Sequence, residues 1–263
     1  AEVVSYADLH AAGSEKAARA AQAEGRGHVA RQPLGPDLGQ CCGGAVTLVT
    51  EIVDAAQGPH TQKYRILGTS SNVLNMNRLG LLPTRNYSQG VFEHAELVSG
   101  EHLHDHHKVK VIACAQCPIA CEQMSKAVEG PYAGAMTGIE YESLYAVASN
   151  CGISSMDTAI KMIDICDEDG MDTLSTGVTV SFAMECYERD VLKKEDFACA
   201  KYPEGFEANF GNDEAGVTLM EMIRDREGIG AILAEGTKRA AAHFDAERGS
   251  ESYKWAMNIK GLE

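Results

Sequence analysis

The chain has 263 residues, 44% of them hydrophobic, which is enough for one large domain or two modest ones with buried cores. Its 38 acidic and 23 basic residues give a net charge of −15, and such a surface repels phosphate backbones, which argues against nucleic acid as a partner. No apolar run approaches the roughly 18–20 residues that span a bilayer, and the first residues lack a signal-peptide pattern. We therefore expect no membrane partner and a reducing cytoplasm, in which the nine cysteines bind metals or pack.

The first 54 residues differ in character from the rest of the chain. Residues 1–25 are rich in Ala, Glu and Lys and predict an exposed helix. Leu34–Gly44 is a glycine-rich turn, and the β-branched, apolar run Ala45–Val53 after it predicts a strand. Such a turn can hold an anion on its backbone N–H groups, but its composition favours a plain tight turn. The vicinal cysteines Cys41 and Cys42 cannot both bind one metal comfortably.

The glycine-rich turn and its strand resemble the N-terminal region of the xanthine dehydrogenase accessory proteins, which handle the molybdenum cofactor. The resemblance covers about residues 19–53 and lacks the nucleotide-binding portion of that family. We infer no function from it, and a cofactor-insertion chaperone would rest on Gly39–Gly44 alone.

Helical patterns dominate the sequence after a seam at Ala55–Pro59. We therefore divide the chain into a small α/β segment, residues 1–54, and a helical domain, residues 55–263. Apolar spacing and capping residues predict helices at Ser70–Leu82, Glu93–His107, Tyr141–Ser149, from Ser154 or Ser155 to Asp169, from Asp172 or Thr173 to Arg189, Val217–Arg226 and Ala231–His243. Strand signals are scarce there, so the fold class is mainly α.

Four histidines, His102, His104, His106 and His107, lie at the end of the second of these helices. His102 and His106 are four residues apart, a spacing that can grip one metal ion on a helix. No carboxylate or cysteine in a recognisable pattern completes the coordination shell, so a solvated face of an acidic protein is the favoured interpretation.

The segment Cys114–Cys121 carries three cysteines, Cys114, Cys117 and Cys121, spaced C-x2-C-x3-C with a proline directly after the second. Short spacings let neighbouring thiolates surround one iron–sulfur cluster, and the proline stiffens the turn. Zinc usually requires a second Cys or Cys/His pair, and cysteines this close are awkward to bridge by a disulfide. The pattern therefore favours an iron–sulfur cluster over zinc or structural cysteines.

Two acidic stretches are further candidates for a site. In Asp167–Asp172, a helix end, a glycine turn and a new helix start meet, and carboxylates there could bind a polycyclic ligand that carries N–H donors. Taken alone, helix capping is the favoured role. Glu140 and Glu142 could include a base with a raised pKa if one of them faces a buried site. Taken alone, solvated acids at a helix start are favoured.

Residues 61–263 resemble the aldehyde ferredoxin oxidoreductases, the tungsten-pterin enzymes of anaerobes. The matching runs keep the order and spacing of that family over about 200 residues. They are Leu82–Asn86, Ser99–Glu101, Cys114–Cys121, Gly138–Glu142, Asn150–Ile153, Asp167–Gly177, Ala183–Glu185 and Leu233–Gly236. The resemblance implies a mainly helical domain like the middle domain of the family.

The resemblance also implies a chemistry. Cys114, Cys117 and Cys121 correspond to three of the four ligands of a [4Fe–4S] cluster. The family oxidises an aldehyde to a carboxylic acid with water and passes the electrons through the cluster to ferredoxin. Tungsten held by two pterins, or its molybdenum equivalent, does the oxygen and electron chemistry, while the protein orients and insulates it.

Four further residues take roles from the same resemblance. Asp167 corresponds to a residue that holds one pterin, and Met171 and Asp172 complete the motif, with Met171 in place of the usual leucine, a change that nearly conserves volume. Glu142 matches an acid near the metal that is thought to assist proton transfer.

Several parts of the family pattern have no counterpart here. The β-rich N-terminal domain, the second pterin motif and the fourth cluster cysteine are missing. Some members bridge a dimer through iron held by a Glu-x-x-His; Lys161 and Asp164 occupy those positions, so we expect no such iron. The missing thiolate could come from Cys151, Cys166, Cys186 or Cys199, although the first two look like packing residues.

Two hypotheses follow. The chain is the helical domain of a tungsten-pterin, iron–sulfur aldehyde oxidoreductase, incomplete by itself and completed by other subunits or copies. Alternatively, it is a non-catalytic helical fragment or fused remnant that acts only as a binding or structural module.

Overall fold

Ten α-helices and one small sheet make up the part of the chain that the computed structural model describes, residues 43–263. The helices are α1 (Gly43–Ala56), α2 (Gln62–Leu67), α3 (Asn72–Leu79), α4 (Gly100–His106), α5 (Tyr141–Val147), α6 (Met156–Asp169), α7 (Thr173–Glu188), α8 (Asp213–Asp225), α9 (Gly230–Leu233) and α10 (Thr237–Arg248). The strands are β1 (Lys108–Ile112), β2 (Glu122–Lys126) and β3 (Met136–Ile139). The fold is mainly α, as predicted.

The first described element corrects the prediction of a strand at Ala45–Val53. This run lies within the helix α1. β-propensity reflects packing on a sheet, and a helix satisfies its backbone hydrogen bonds without a neighbouring strand. Leu48 and Ile52 on α1 are more than half exposed. The predicted helix at residues 1–25 and the cysteine pair 41–42 lie outside the described residues.

Two predicted helices are shorter than expected. The helix predicted at Ser70–Leu82 ends at Leu79, because Gly80 adopts a left-handed conformation with φ +72° and closes the helix. The helix predicted at Glu93–His107 is broken at Ser99, whose Oγ accepts a hydrogen bond from the His102 N–H at 3.1 Å. A side chain that caps a helix in this way starts a new one, α4.

The structure confirms the helix ends predicted around Asp167–Asp172, the acidic corner, and selects Ser155 over Ser154 and Asp172 over Thr173 as caps. Ser155 caps α6 by accepting from the Thr158 N–H, and Gly170 ends this helix in the left-handed conformation. Asp172 caps α7 by accepting from the Ser175 N–H at 2.7 Å. The helix predicted at Ala231–His243 is instead split into α9 and α10 at Gly236.

The sheet is the element that the sequence did not predict. It is antiparallel in the order β1-β2-β3, and its central strand β2 has the sequence Glu-Gln-Met-Ser-Lys. Gln123 and Ser125 are both buried there. Because polar side chains occupy buried positions, the strand lacks the alternation of apolar and polar residues that identifies a half-buried strand.

The core is organised around α7. Every residue from Thr176 to Cys186 is buried, so this helix is enclosed by its neighbours α5, α6, α8, α9 and α10. Phe182 on α7 lies nearly parallel to Phe244 on α10, with ring centroids 6.3 Å apart. No helix in residues 43–263 is long and apolar enough to cross a membrane.

Candidate functional site

The three clustered cysteines lie in the loop that joins β1 to β2. The Cys117 N–H donates to the Cys114 carbonyl at 3.0 Å, which closes a tight turn. Gln116 and Ala120 both adopt left-handed backbone conformations, with φ +61° and +57°, which bend the loop back on itself. Cys114 is exposed, and Cys117 and Cys121 are partly buried.

The three thiols interact electrostatically. Burial raises the pKa of the Cys121 thiol, and the charges of Glu140, Cys117 and Cys114 raise it further. No group of three or more His, Cys, Asp or Glu side chains in the described part is arranged to hold a single metal ion. A cubic cluster binds each thiolate to a different iron, so its ligands need not converge on one point. Three thiols on one loop are the donor type that such a cluster uses.

The sheet connects this loop to the acidic corner at the end of α6. Ser125 on β2 pairs with Thr137 on β3, and the Thr137 hydroxyl donates to the Asp167 carboxylate. Met171 is partly buried, with its N–H bonded to the Cys166 carbonyl at 2.8 Å, while Asp172 is exposed. The structure thus brings Asp167 to the same small sheet that carries the three cysteines.

The surroundings of the sheet are acidic. Burial raises the pKa of Glu122, beside Cys121, to about 7, and the charges of Glu140 and Asp167 add to the shift. Burial also raises the pKa of Glu140, helped by Glu142. The charges of Glu140 and Asp167 thus act on Glu122, and that of Glu142 acts on Glu140.

Glu142 lies in the first turn of α5, directly after β3, and its side chain is exposed. Glu140 precedes it at the N-cap position and is the more buried of the two. Glu140 therefore meets the condition stated for a base with a raised pKa, whereas the exposed Glu142, which the family resemblance selected, matches the solvated acid favoured from the residues alone.

The remaining cysteines described by the structure are mostly unsuited to binding a cluster. Cys151, Cys166 and Cys186 are fully buried in the helical core. Burial raises the pKa of the Cys166 and Cys186 thiols to about 12, and that of Cys151 further still. Thiols of this kind stay protonated and inert. Cys199 is partly exposed.

The histidine cluster is only partly the solvated face that was predicted. His104 and His106 are exposed, but His107 is buried, with Nδ1 3.2 Å from the Lys126 carbonyl oxygen. The rings of His102 and His106 are 4.6 Å apart. Burial lowers the pKa of His102, and the neighbouring histidines lower it further.

The loop Leu82–Asn86 shows what a matched run does in the fold. Arg85, Asn86 and Tyr87 adopt consecutive left-handed conformations. The Asn86 amide donates to the buried carboxylate of Glu185 at 2.6 Å, and the Tyr87 N–H donates to the Asn150 side chain at 3.0 Å. These bonds hold the strained loop against the core helix α7.

A family model described as aldehyde ferredoxin oxidoreductase, domains 2 and 3, matches residues 48–263. The chain belongs to the aldehyde ferredoxin oxidoreductase family. A tungsten-containing aldehyde ferredoxin oxidoreductase of Pyrococcus abyssi is 39% identical over 210 residues, covering 80% of this chain and 32% of that protein. An aliphatic sulfonate oxidoreductase, WOR-like subunit, of Pyrococcus furiosus is 34% identical over 175 residues, covering 62% of this chain and 27% of that protein.

A solved structure of the active-site complex BamBC of benzoyl coenzyme A reductase, in complex with 1,5-dienoyl-CoA, superposes with a TM-score of 0.57. It is 22% identical and covers 76% of this chain and 28% of the other, so it shows a shared fold alone. The chain spans about a third of the length of the curated relatives that it matches.

Two contributors to the site were missed by the sequence predictions. Thr137 contacts Asp167, and Glu122 adds a half-buried carboxyl next to Cys121. Both lie on strands that were not predicted. Their only sequence signal is position, since Glu122 directly follows the third cysteine and Thr137 precedes the matched run Gly138–Glu142.

Proposed function

We propose that the chain is the helical part of a tungsten-pterin, iron–sulfur oxidoreductase that oxidises aldehydes to carboxylic acids. The observation that carries this proposal is the sheet that joins the cysteine loop to Asp167 through Thr137. A redox cofactor and its electron outlet must lie close together, and this connection supports such an arrangement. Membership of the family supplies the chemistry.

Each set of residues has a role in this proposal. Cys114, Cys117 and Cys121 hold a [4Fe–4S] cluster as thiolates. Asp167 accepts hydrogen bonds from pterin N–H groups, and the turn through Met171 and Asp172 presents backbone groups to the same ligand. The tungsten-pterin group, when bound, supplies the oxygen transfer and accepts the electrons.

The oxidation of an aldehyde with water yields a carboxylic acid, two protons and two electrons. In this proposal Glu142 assists proton transfer, the role that the family resemblance gives to its position at the start of α5. Glu140, beside it, has a pKa raised by burial and by Glu142, so it can hold a proton nearer to neutrality. A cluster held by Cys114, Cys117 and Cys121 would supply the electron outlet to ferredoxin, and a molybdenum-pterin group would supply the same chemistry as the tungsten one.

The site is completed by other parts of the enzyme, whether from the same polypeptide, another subunit or a second copy. The chain spans about a third of its curated relatives, and only three of four cluster ligands and one pterin motif were found in it. Four relatives are named for aldehydes and one for aliphatic sulfonates. We therefore propose aldehydes as the substrate class.

The test is to purify the chain under strict anaerobiosis, supply ferrous iron and sulfide, and measure iron content and the electron paramagnetic resonance (EPR) signal of the reduced protein. We expect a cluster signal that Cys117→Ser abolishes, with Cys166→Ser, a change at a buried core thiol, as the control that keeps it. A chain that stays free of iron would overturn the cluster assignment and leave the non-catalytic module as the better account.

A further inference from the structure

Gln123 is a buried polar residue next to the third cluster cysteine. Its side chain is 1% exposed, and its Nε2 donates a hydrogen bond to the Cys121 carbonyl at 3.2 Å. The amide oxygen Oε1 of the same side chain has no hydrogen-bond partner among the described residues. A buried acceptor without a donor lowers the free energy of unfolding. The hydrogen bond from the same amide to Cys121 is the contact in the described part that can offset this cost.

Gly68 lies close to the same carbonyl and to the Gln123 side chain. It follows α2 with φ +70° and ψ −171°, a conformation that is essentially restricted to glycine. A Cβ at this position would lie 2.6 Å from the Cys121 carbonyl oxygen and 2.6 Å from Gln123 Cγ. Only a residue without a side chain therefore lets the chain pass this close to Cys121.

The turn that begins at Gly68 also reaches the helix that carries Glu142. The Thr69 hydroxyl oxygen accepts a hydrogen bond from the Tyr141 N–H at 2.9 Å, at the first residue of α5. One short turn thus contacts both the end of the cysteine loop and the start of α5. A link of this kind fixes the two elements relative to each other.

We propose that Gly68 and Gln123 form a clamp that positions Cys121 as a cluster ligand, an inference that rests on the proposed iron–sulfur function. The carbonyl of Cys121 accepts a hydrogen bond from the amide of Gln123 and lies against the backbone of Gly68. Since the carbonyl carbon and Cβ are both bonded to Cα, fixing the carbonyl restricts the direction of the Cα–Cβ bond from which the thiolate extends. Groups that orient a ligand in this way raise the affinity of a site for its metal.

The decisive variant is Gln123→Met, which keeps the length of the side chain but removes the donor to Cys121 and the unpartnered oxygen together. A clamp predicts that the variant retains iron about 10-fold less well against a chelator, with an altered EPR line shape, while its thermal stability does not fall. A purely structural glutamine predicts lower thermal stability and an unchanged EPR signal. Gly68→Ala serves as the second variant and is expected to weaken iron retention in the same direction.

Ser149→Ala is the matched control. Ser149 is also a buried polar residue, but its hydroxyl donates to the Pro83 carbonyl at 2.7 Å, and it lies outside the sheet and the cysteine loop. We expect its iron retention and EPR signal to equal those of the unmodified chain. Unchanged iron retention and EPR in Gln123→Met would overturn the clamp alone. Absence of iron from the unmodified chain would overturn the proposed function, and the clamp with it.

Discussion

The helical core and the cysteine hairpin, which consists of β1, β2 and the loop between them, place their cysteines in different environments. In the core, Cys151, Cys166 and Cys186 are enclosed by apolar side chains, and burial raises the pKa of their thiols. In the hairpin, Cys114 is exposed and its two companions are partly so. Burial decides whether a thiol packs or reacts, because only a thiolate binds metal or acts as a nucleophile.

The two regions also satisfy their polar groups differently. On α7, the buried Glu185 accepts from Asn86 and from Arg189, both at 2.6 Å. Beside the hairpin, Gln123 keeps an unpartnered oxygen, and Glu140 has no ion pair among the described contacts. Glu185 in the core is partnered by two neighbouring side chains, whereas Gln123 on β2 keeps an acceptor without a partner among the described residues. Such groups are typical of sites that bind something else.

The largest expected effect tests the core side of this comparison. Phe182→Ala should lower the free energy of unfolding by about 3–5 kcal/mol, because the fully buried ring leaves a cavity against Phe244. Urea denaturation measures the loss. Tyr253→Ala is the control, since Tyr253 is 61% exposed and its loss should matter little. A loss below about 1 kcal/mol for Phe182→Ala would mean that the core can collapse around the cavity.

What the sequence could predict follows the same division. The stop at Gly170 was predicted, and the two helix starts were placed within one residue, at Ser154 or Ser155 and at Asp172 or Thr173, because a cap depends on residues within one turn. The strands around the cysteines were not, since Gln123 and Ser125 break the expected apolar alternation.

The candidate site shows a similar limit. Residue type and spacing identified the three cysteines, and the family resemblance identified Asp167 and Glu142. The contact of Gly68 with Cys121 joins positions far apart in the chain, and a single glycine after a short helix gives no signal of it. Pairings of this range depend on the folded backbone. The error at Ala45–Val53 arose from β-propensity, which the helix α1 overrides.

The next effect compares the two regions by making the same change, cysteine to serine, once in each. Cys166→Ser should lower the free energy of unfolding by roughly 1–3 kcal/mol, because it buries a hydroxyl where the thiol contacts Met220 at 3.9 Å. Cys114→Ser should change it by less than about 0.5 kcal/mol, because that side chain is exposed. Urea denaturation of the metal-free chain gives both values.

Iron binding should respond in the opposite order. Cys114→Ser should lose the cluster signal while Cys166→Ser keeps it, as measured by iron content in anaerobic preparations. If both variants lost iron equally, the core thiol would be a ligand, and the separation between packing and metal-binding cysteines would be wrong.

The smallest effect concerns carboxylates, which also differ between the two regions. Asp196, outside the hairpin, accepts two hydrogen bonds from Arg248 at 2.7 Å each, and this guanidinium lowers its pKa. Near the hairpin, burial and Glu142 raise the pKa of Glu140 instead. A lowered pKa in the folded chain means that the pair stabilises it above the unfolded pKa of about 3.9, and that the gain disappears as pH falls through the folded value.

Asp196→Asn should therefore lower the free energy of unfolding by about 0.5–1 kcal/mol at pH 7 after solvent screening. The loss should shrink almost to nothing at the lowest pH at which the chain is still folded. Urea denaturation of both chains from neutral to acidic pH measures the difference, with the exposed Asp225, which pairs with its neighbour Arg224, as the control position. A difference that stayed constant with pH would assign the role of Asp196 to its backbone bond with Lys193. That bond closes the turn before Phe197, which is fully buried, so the cost would then belong to core packing rather than to charge.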